Sequence, residues 1–268
     1  MEVQVFSTAP NVNFTRENMF DDTLIVIPAR IGSTRLPQKM LADIGGKPLI
    51  VHTFEKAIAA NVGDVVVACD CGEIATQIRA AGGEAILTDP NLPSGTDRVF
   101  SAWTKYDLEG KYKFITNLQG DLPNIAPEFI RAAALSARNT EYDIFTLATP
   151  IIDDSYLRDS VVKSVVAFTT KDSGKALYFS RMAIPLGGPF FHHVGIYCFR
   201  VDKLRDFVNL PQGLLEKAER LEQLRALENN MTIGIRIIDA DSPVSVDTSD
   251  DLALVRRYIG VCVRSSAG

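Results

Sequence analysis

Basic residues are outnumbered: 28 Lys and Arg stand against 33 Asp and Glu, a formal net charge of −5, with a sequence pI near 5.3. A general nucleic-acid or anionic-membrane binder carries a basic face. The balance argues against nucleic acid and membrane as partners, so any anion this chain binds must be met by a local group of cations. Histidine is scarcer still, with only His52, His192 and His193, and the four cysteines (Cys69, Cys71, Cys198, Cys262) form no C-x-x-C pair. Cys69 and Cys71 would share one face of a strand, but no histidine stands beside them, so a zinc site has little support. A chain of this size needs no disulfide staples. The cysteines read as reduced thiols, which points to the cytoplasm. No stretch approaches the ~20 apolar residues of a membrane helix. Residues 1–22 lack a basic start followed by an apolar run, so they read as a flexible lead-in rather than a signal peptide.

What is present is an ordinary globular composition over 268 residues, 46% hydrophobic and 23% charged, with no internal repeat or linker. One compact unit is expected from about 23 to 260, followed by a short tail at 261–268. In the first half, short runs of Val, Ile and Leu alternate with helical patterns. TLIVI (23–27), VVVAC (65–69), EAILT (84–88) and KFITNLQ (113–119) are each followed by an amphipathic segment. In the first of these segments Leu49, Ile50, Phe54, Ala57 and Ile58 recur at helical spacing. Such runs indicate a parallel sheet covered on both faces. The expected fold is α/β, a doubly wound, mostly parallel, Rossmann-like sheet with helices on both faces.

The second half changes character. YDIFTLATPI, VVKSVVAF, ALYFSRMAI and HVGIYCFRV follow one another through turn-like connections such as KDSG (171–174), which predicts a smaller antiparallel or mixed extension. The run 214–230 reads as one amphipathic helix with Leu214, Ala218, Leu221 and Leu224 inward. IGIRIID (233–239) and VSVD (244–247) read as strands. A last helix opens on a capping box formed by Thr248 and Asp251.

The first strand ends in a stretch that composition alone would not anticipate. In TLIVIPARIGSTRLPQKML, Arg30, Arg35 and Lys39 follow the strand within a loop softened by Gly32, Ser33 and Thr34. In a doubly wound sheet such a loop faces the ligand crevice, and small residues let backbone N–H groups approach an anion. A polyphosphate fits this pattern. The stretch is neither a Walker loop nor a dinucleotide fingerprint, since it lacks G-x-x-x-x-G-K-[ST] and G-x-G-x-x-G. The same cations could also form a solvated loop. Phosphoryl and nucleotidyl transfer need a divalent metal on oxygen ligands, and two aspartates stand where they could provide them. Asp121 ends the strand NLQGD, where Gly120 permits a turn that exposes the carboxylate, and Asp247 ends VSVD. Each also admits a structural role, Asp121 in ordering the turn into Pro123 and Asp247 in supplementing the cap at Thr248.

Taken in order, IPARIGSTRLPQK, PSGTDR (93–98), NLQGDLP (117–123), ALYFSR (176–181), HVGIYCFR (193–200), LEQLR (221–225) and VDTSDDL (246–252) resemble the successive motifs of the 3-deoxy-manno-octulosonate cytidylyltransferase (CMP-Kdo synthetase) family. The resemblance runs from 23 to 259. It implies a Mg2+-dependent transfer of CMP from CTP to the anomeric hydroxyl of Kdo, an acidic eight-carbon 2-keto sugar, with release of pyrophosphate, for lipopolysaccharide biosynthesis. It further implies that Arg30, Arg35 and Lys39 handle the triphosphate, that Ser94, Gly95 and Arg98 help seat the cytidine, and that Asp121 and Asp247 hold Mg2+. Lys39, Arg30, Asp121 and Asp247 would then be the catalytic set. Gln119, Arg181, His193, Tyr197, Glu222 and Gln223 would line the sugar pocket. The chemistry suits that cast: a planar guanidinium matches a carboxylate, and the other side chains match hydroxyl groups. Tyr197 and His193 could equally be core residues, and Glu222 and Gln223 solvated surface. A homodimer is implied, its contact expected between about 150 and 200, in the subregion that also borders the sugar.

The sequence departs from the family pattern at three places. Gln38 stands where Gly is common, Leu122 where an acidic residue usually follows the metal aspartate, and PLGGPFF (185–191) is a short version of the loop before HVGIY. Asp70 is followed by Cys71 rather than His, and no role is carried to that pair. Rival readings are a synthetase for CMP-sialic acid, which shares the PAR-x-GS opening, an 8-amino-Kdo cytidylyltransferase, and a catalytically silent nucleotide-binding protein.

Overall fold

The computed structural model describes residues 19–33 and 35–265, with side chains to residue 260. Most of the expected lead-in and the side chains of 261–268 fall outside the described residues. The chain runs β1 (Thr23–Ala29), β2 (Asp43–Ile44), β3 (Lys47–Pro48), α1 (Leu49–Ala60), β4 (Asp64–Cys69), α2 (Gly72–Ala80), β5 (Glu84–Leu87), α3 (Gly95–Tyr106), β6 (Phe114–Leu118), α4 (Pro127–Arg138) and β7 (Ile144–Pro150). It continues through β8 (Lys163–Phe168), β9 (Ser173–Ser180), β10 (Phe191–Arg200), α5 (Val201–Val208), α6 (Leu214–Glu219), α7 (Leu224–Glu228), β11 (Ile233–Ile237) and α8 (Ser249–Ser265).

Nine strands form one sheet in the order β5-β4-β1-β6-β10-β7-β11-β9-β8, and β2 and β3 pair separately. The sheet is mixed. β5, β4, β1 and β6 run parallel, as does β11 with β7. β10 is antiparallel to both β6 and β7, and β9 is antiparallel to β11 and β8. The expectation of a mostly parallel sheet therefore holds for the first half alone. β10 slots between β6 and β7 and joins the halves into a single layer rather than an appended extension.

β1 explains why this layer forms. All seven of its residues are buried, and successive side chains of a strand point to opposite faces. Ile25, Ile27 and Ala29 pack into one core with α1, α2, α4 and α8, whereas Leu24 and Val26 pack into the other with α3, α5 and α7. A continuous apolar strand is stable only with helices on both sides, and each fully buried Ile or Leu contributes about 1.5–3 kcal/mol. β4 lies on one flank of β1 and β6 on the other. The carboxyl end of β1 is thus the point where the chain reverses its direction of sheet building, the usual place for a ligand crevice.

Four local readings change. Ile58 of α1 is 53% exposed, while its predicted companions Leu49, Ile50, Phe54 and Ala57 are buried. The run 214–230 is not one helix: Arg220 adopts the left-handed conformation (φ 54°) and separates α6 from α7, leaving Leu214 81% exposed and Ala218 exposed. Polar contacts override the apolar period. Buried Arg225 donates to both oxygens of buried Glu216 at 2.9 and 2.7 Å, and Glu228 accepts the N–H groups of Leu215 and Glu216 at the start of α6. These bonds require α7 to fold back on α6.

The third change concerns VSVD, which is not a strand. Its N–H groups are drawn to the turn after β6, Val244 to Asn124 Oδ1 and Val246 to the Asp121 carbonyl, each at 2.9 Å. α8 then starts at the expected box: Asp251 Oδ2 accepts Thr248 N–H at 2.9 Å and Thr248 Oγ1 accepts Asp251 N–H at 3.2 Å. Cys71 lies beyond β4 as the N-cap of α2, so it shares no strand face with Cys69.

Candidate active site

At the carboxyl end of β1 lies a cavity of about 440 Å3. Five cations, Arg30, Arg35, Lys39, Arg98 and Arg220, line it against two anions, Asp121 and Asp247. In a chain of negative net charge this is a local positive field, suited to a polyanion. Three features of local structure build it. Gln38 takes a left-handed conformation (φ 53°, ψ 30°) ahead of the 3-10 turn Lys39–Leu41, and this turns Lys39 inward, where it is 8% exposed. Glycine would adopt that conformation freely, whereas Gln pays about 1 kcal/mol for it. Gly120 packs against the end of β1, where a Cβ would lie 2.8 Å from the Pro28 carbonyl oxygen. That contact lets Asp121 reach the rim. The binding of 244–247 to the same turn brings up Asp247.

The three side chains meet. Lys39 Nζ donates to Asp121 Oδ2 at 2.8 Å, to Asp247 Oδ1 at 2.8 Å and to the Val246 carbonyl at 2.9 Å. Arg35 pairs with the other oxygen of Asp247 at 2.9 Å. Burial works against the charged form of Lys39, but the neighbouring carboxylates outweigh it and hold the ammonium above its usual pKa. Burial likewise opposes the Asp247 carboxylate, and Lys39 with Arg35 nevertheless holds it below the usual range. Two carboxylates that one ammonium can touch are close enough to share a divalent ion. Hard cations such as Mg2+ take one or two carboxylates together with phosphate oxygens and water. The donor set therefore fits such an ion.

Ser94 is the N-cap of α3 and accepts Asp97 N–H at 3.1 Å. Gly95 opens that helix, and both residues face the cavity. Arg98, one turn on, is buried and donates to Thr88 Oγ1 and the Asp89 carbonyl. It forms a fixed wall rather than a free arm.

A second cavity of about 270 Å3 adjoins the first. Gln119 and Arg181, each just past the end of its strand (β6 and β9), His193 and Tyr197 of β10, and Glu222 and Gln223 in the link between α6 and α7 all line it. Thr146 Oγ1 has one proton, which goes to the Ile196 carbonyl at 2.7 Å. The 2.9 Å contact from His193 Nε2 to that oxygen must then use the Nε2 proton, which leaves Nδ1 as an acceptor. Burial, with a smaller push from His192, moves the His193 pKa down to about 3 and keeps the ring neutral. Tyr197 donates to Gln223 Oε1 at 3.2 Å, and burial with the nearby Glu222 holds its hydroxyl protonated.

Glu222 of the second cavity reaches Ser94 of the first. Ser94 Oγ lies 2.5 Å from Glu222 Oε1 and 2.6 Å from Asp97 Oδ2, but a hydroxyl carries a single proton. Ser94 therefore donates to only one of the two at a time. Burial raises the Glu222 pKa against the downward pull of the hydrogen bonds from Ser94 and Thr96. Leu122 is 3% exposed and packs in the core, where an acidic residue would have to be buried.

The geometry also exposes residues that motif spacing missed. Asp70 accepts the Ile31 N–H at 2.9 Å and stands 4.0 Å from Arg98, tying the loop after β1 to the end of β4. Its position just past a parallel strand was the signal available in the sequence. Arg220 lines both cavities, and nothing in its spacing marked it. Arg181 is committed differently from expectation: its guanidinium donates to the carbonyls of Asp159 (2.9 Å), Glu219 (2.8 Å) and Arg220 (3.4 Å).

Among the described residues no helix is long and apolar enough to cross a membrane. A family model described as cytidylyltransferase matches residues 24–233. Curated relatives named 3-deoxy-manno-octulosonate cytidylyltransferase include those of Paramagnetospirillum magneticum, 47% identical over 88% of this chain and 97% of the relative, and Rhodospirillum rubrum, 46% identical over 88% and 95%. That of Azorhizobium caulinodans is 47% identical over 89% and 96%. A solved structure of CMP:2-keto-3-deoxy-manno-octonic acid synthetase complexed with CTP superposes with a TM-score of 0.80 at 37% identity, covering 89% of this chain and 98% of that one. With its crevice, its mixed sheet and these relatives in agreement, the chain belongs to the cytidylyltransferase family, alongside the 3-deoxy-manno-octulosonate cytidylyltransferases.

Proposed function

We propose that this protein transfers CMP from CTP to the anomeric hydroxyl of Kdo, releasing pyrophosphate, as a cytoplasmic step of lipopolysaccharide synthesis. The observation that carries the reading is the pair of adjoining cavities, one cationic and one lined by hydroxyl-binding groups, with Gln119, Asp121 and Asp247 on both. The parallel half of the sheet serves as a Rossmann-like nucleotide frame. Arg30, Arg35 and Lys39 bind the triphosphate and draw the leaving pyrophosphate away from the sugar. Ser94, Gly95 and Arg98 seat the cytidine at the start of α3. Neutral His193, through Nδ1, and the Tyr197–Gln223 pair orient the sugar hydroxyl groups. Asp121 and Asp247 hold Mg2+, which when bound supplies charge neutralisation around the α-phosphate. Lys39 balances the two carboxylates until then.

The bond between the anomeric oxygen and the α-phosphorus forms as the bond to the pyrophosphate oxygen breaks, and the anomeric hydroxyl releases its proton to solvent. No side chain serves as a nucleophile, and the rate comes from positioning and electrostatics. The chain works as a homodimer through the region of 150–200. Pyrophosphate release from CTP measured with Kdo, 8-amino-Kdo and N-acetylneuraminate, with and without Mg2+, tests the reading. Release with Kdo that needs the metal is expected, and release only with N-acetylneuraminate, or none with any sugar, overturns it.

A further inference from the structure

Gln119, Asp121, Arg220 and Asp247 line both cavities, and Arg220 is the one cation among these four. We propose that Arg220 is a substrate-binding residue that places its guanidinium on an oxyanion where nucleotide and sugar meet, either the sugar carboxylate or the α-phosphate. The inference rests on the nucleotidyl-transfer reading above and assigns that site a cation that no motif marks.

Two observations carry it. The first is conformational. Arg220 closes α6 in the left-handed region, with φ 54° and ψ 46°, at a position where Gly or Asn is the usual residue. Non-glycine residues held there cluster at ligand sites, where the surrounding structure over-determines them. The surroundings do so here: Leu221 N–H bonds back to the Glu216 carbonyl at 3.3 Å, and Arg181 holds the Glu219 and Arg220 carbonyls. The second is the allocation of charge. Of the two arginines on the sugar cavity, Arg181 spends three of its five N–H groups on backbone carbonyls. Arg220 is exposed into the crevice. Arg181 therefore acts as the brace and Arg220 as the arm that meets the ligand. An exposed arginine at a helix end can also merely complement the helix dipole, a role that would register in stability and not in kinetics.

The test compares wild type with Arg220→Asn and Arg220→Lys. Asn tolerates the left-handed conformation, so Arg220→Asn is expected to keep the melting temperature at or above that of wild type. Its kcat/KM for Kdo should fall at least about tenfold, the worth of one charge-assisted hydrogen bond, with partial recovery in Arg220→Lys. A rise in KM for the sugar assigns the carboxylate, and a fall in kcat or a rise in KM for CTP assigns the α-phosphate. Kinetic constants within about twofold of wild type in Arg220→Asn, below any single lost hydrogen bond to a charged group, overturn the proposal. Should the wild type itself fail to turn over Kdo, the reaction is wrong. Calorimetric CTP binding then tests the nucleotide arm: weaker binding by Arg220→Asn places the arginine at the phosphate, and equal binding excludes that oxyanion.

Discussion

The ammonium of Lys39 lies 2.8 Å from Oδ1 of Asp247, 208 residues away along the chain, and equally close to the carboxylate of Asp121. One cation thus holds together two anions that would otherwise repel each other in a partly enclosed crevice. This arrangement gives the basic loop after β1 two roles, neutralising the aspartates in the free protein and meeting phosphate once a ligand arrives.

Replacing Lys39 with Met leaves both carboxylates without their shared partner. Breaking a buried pair costs about 3–5 kcal/mol, but Asp247 is 34% exposed, and solvent screening reduces the loss to about 1–3 kcal/mol. Urea unfolding should report that loss in chelator, together with a larger stabilisation by millimolar Mg2+ in the variant than in wild type. Equal stability in the two proteins would show that the contact carries no weight.

Asp121→Asn and Asp247→Asn keep shape and remove charge. Each is expected to lower kcat by about a hundredfold or more while circular dichroism and melting temperature stay close to wild type. Titrating Mg2+ separates a metal role from a packing role, because a weakened ligand set should raise the concentration needed for half-maximal rate. A variant with wild-type turnover would remove its aspartate from the proposed set.

Gly120→Ala probes the approach of the turn after β6 to β1. The added Cβ would sit 2.8 Å from the Pro28 carbonyl oxygen and 3.0 Å from Ile50 Cδ1, and backbone cannot yield as a flexible side chain does. A destabilisation of about 1–3 kcal/mol from overpacking is expected, with a loss of turnover beyond what stability explains, because Asp121 is the next residue. Unchanged denaturation midpoint and activity would contradict the packing.

Acid should weaken the fold through His193. Its pKa is about 3 in the folded chain and about 6.5 when unfolded, so the unfolded state binds the extra proton between these values. The contribution is whole above pH 6.5 and declines as pH falls towards 3, with a slope of up to ~1.4 kcal/mol per pH unit. His193→Gln should therefore flatten the stability profile between pH 6.5 and 4.5. Parallel profiles would mean that the ring is not held neutral by burial.

Much of this protein was legible in its residues. The apolar run Leu24–Ala29 of β1 required helices on both faces, and the Thr248–Asp251 box marked the start of α8. The six residues that the ordered motifs implied for the sugar pocket all come to line the second cavity. The failures share a cause, because local pattern records only what neighbours in sequence impose. The apolar period over 214–230 predicted one helix, yet Glu216 with Arg225, and Glu228 with the start of α6, bent it in two and left Arg220 at the seam. VSVD alternates like a strand, but its N–H groups found Asn124 and the Asp121 carbonyl instead of a sheet edge. The sequence by itself determined the buried strands, the basic loop and the identity of the polar groups. Only the tertiary structure decided which charges share a cation, because those choices depend on distances between segments that no local period encodes.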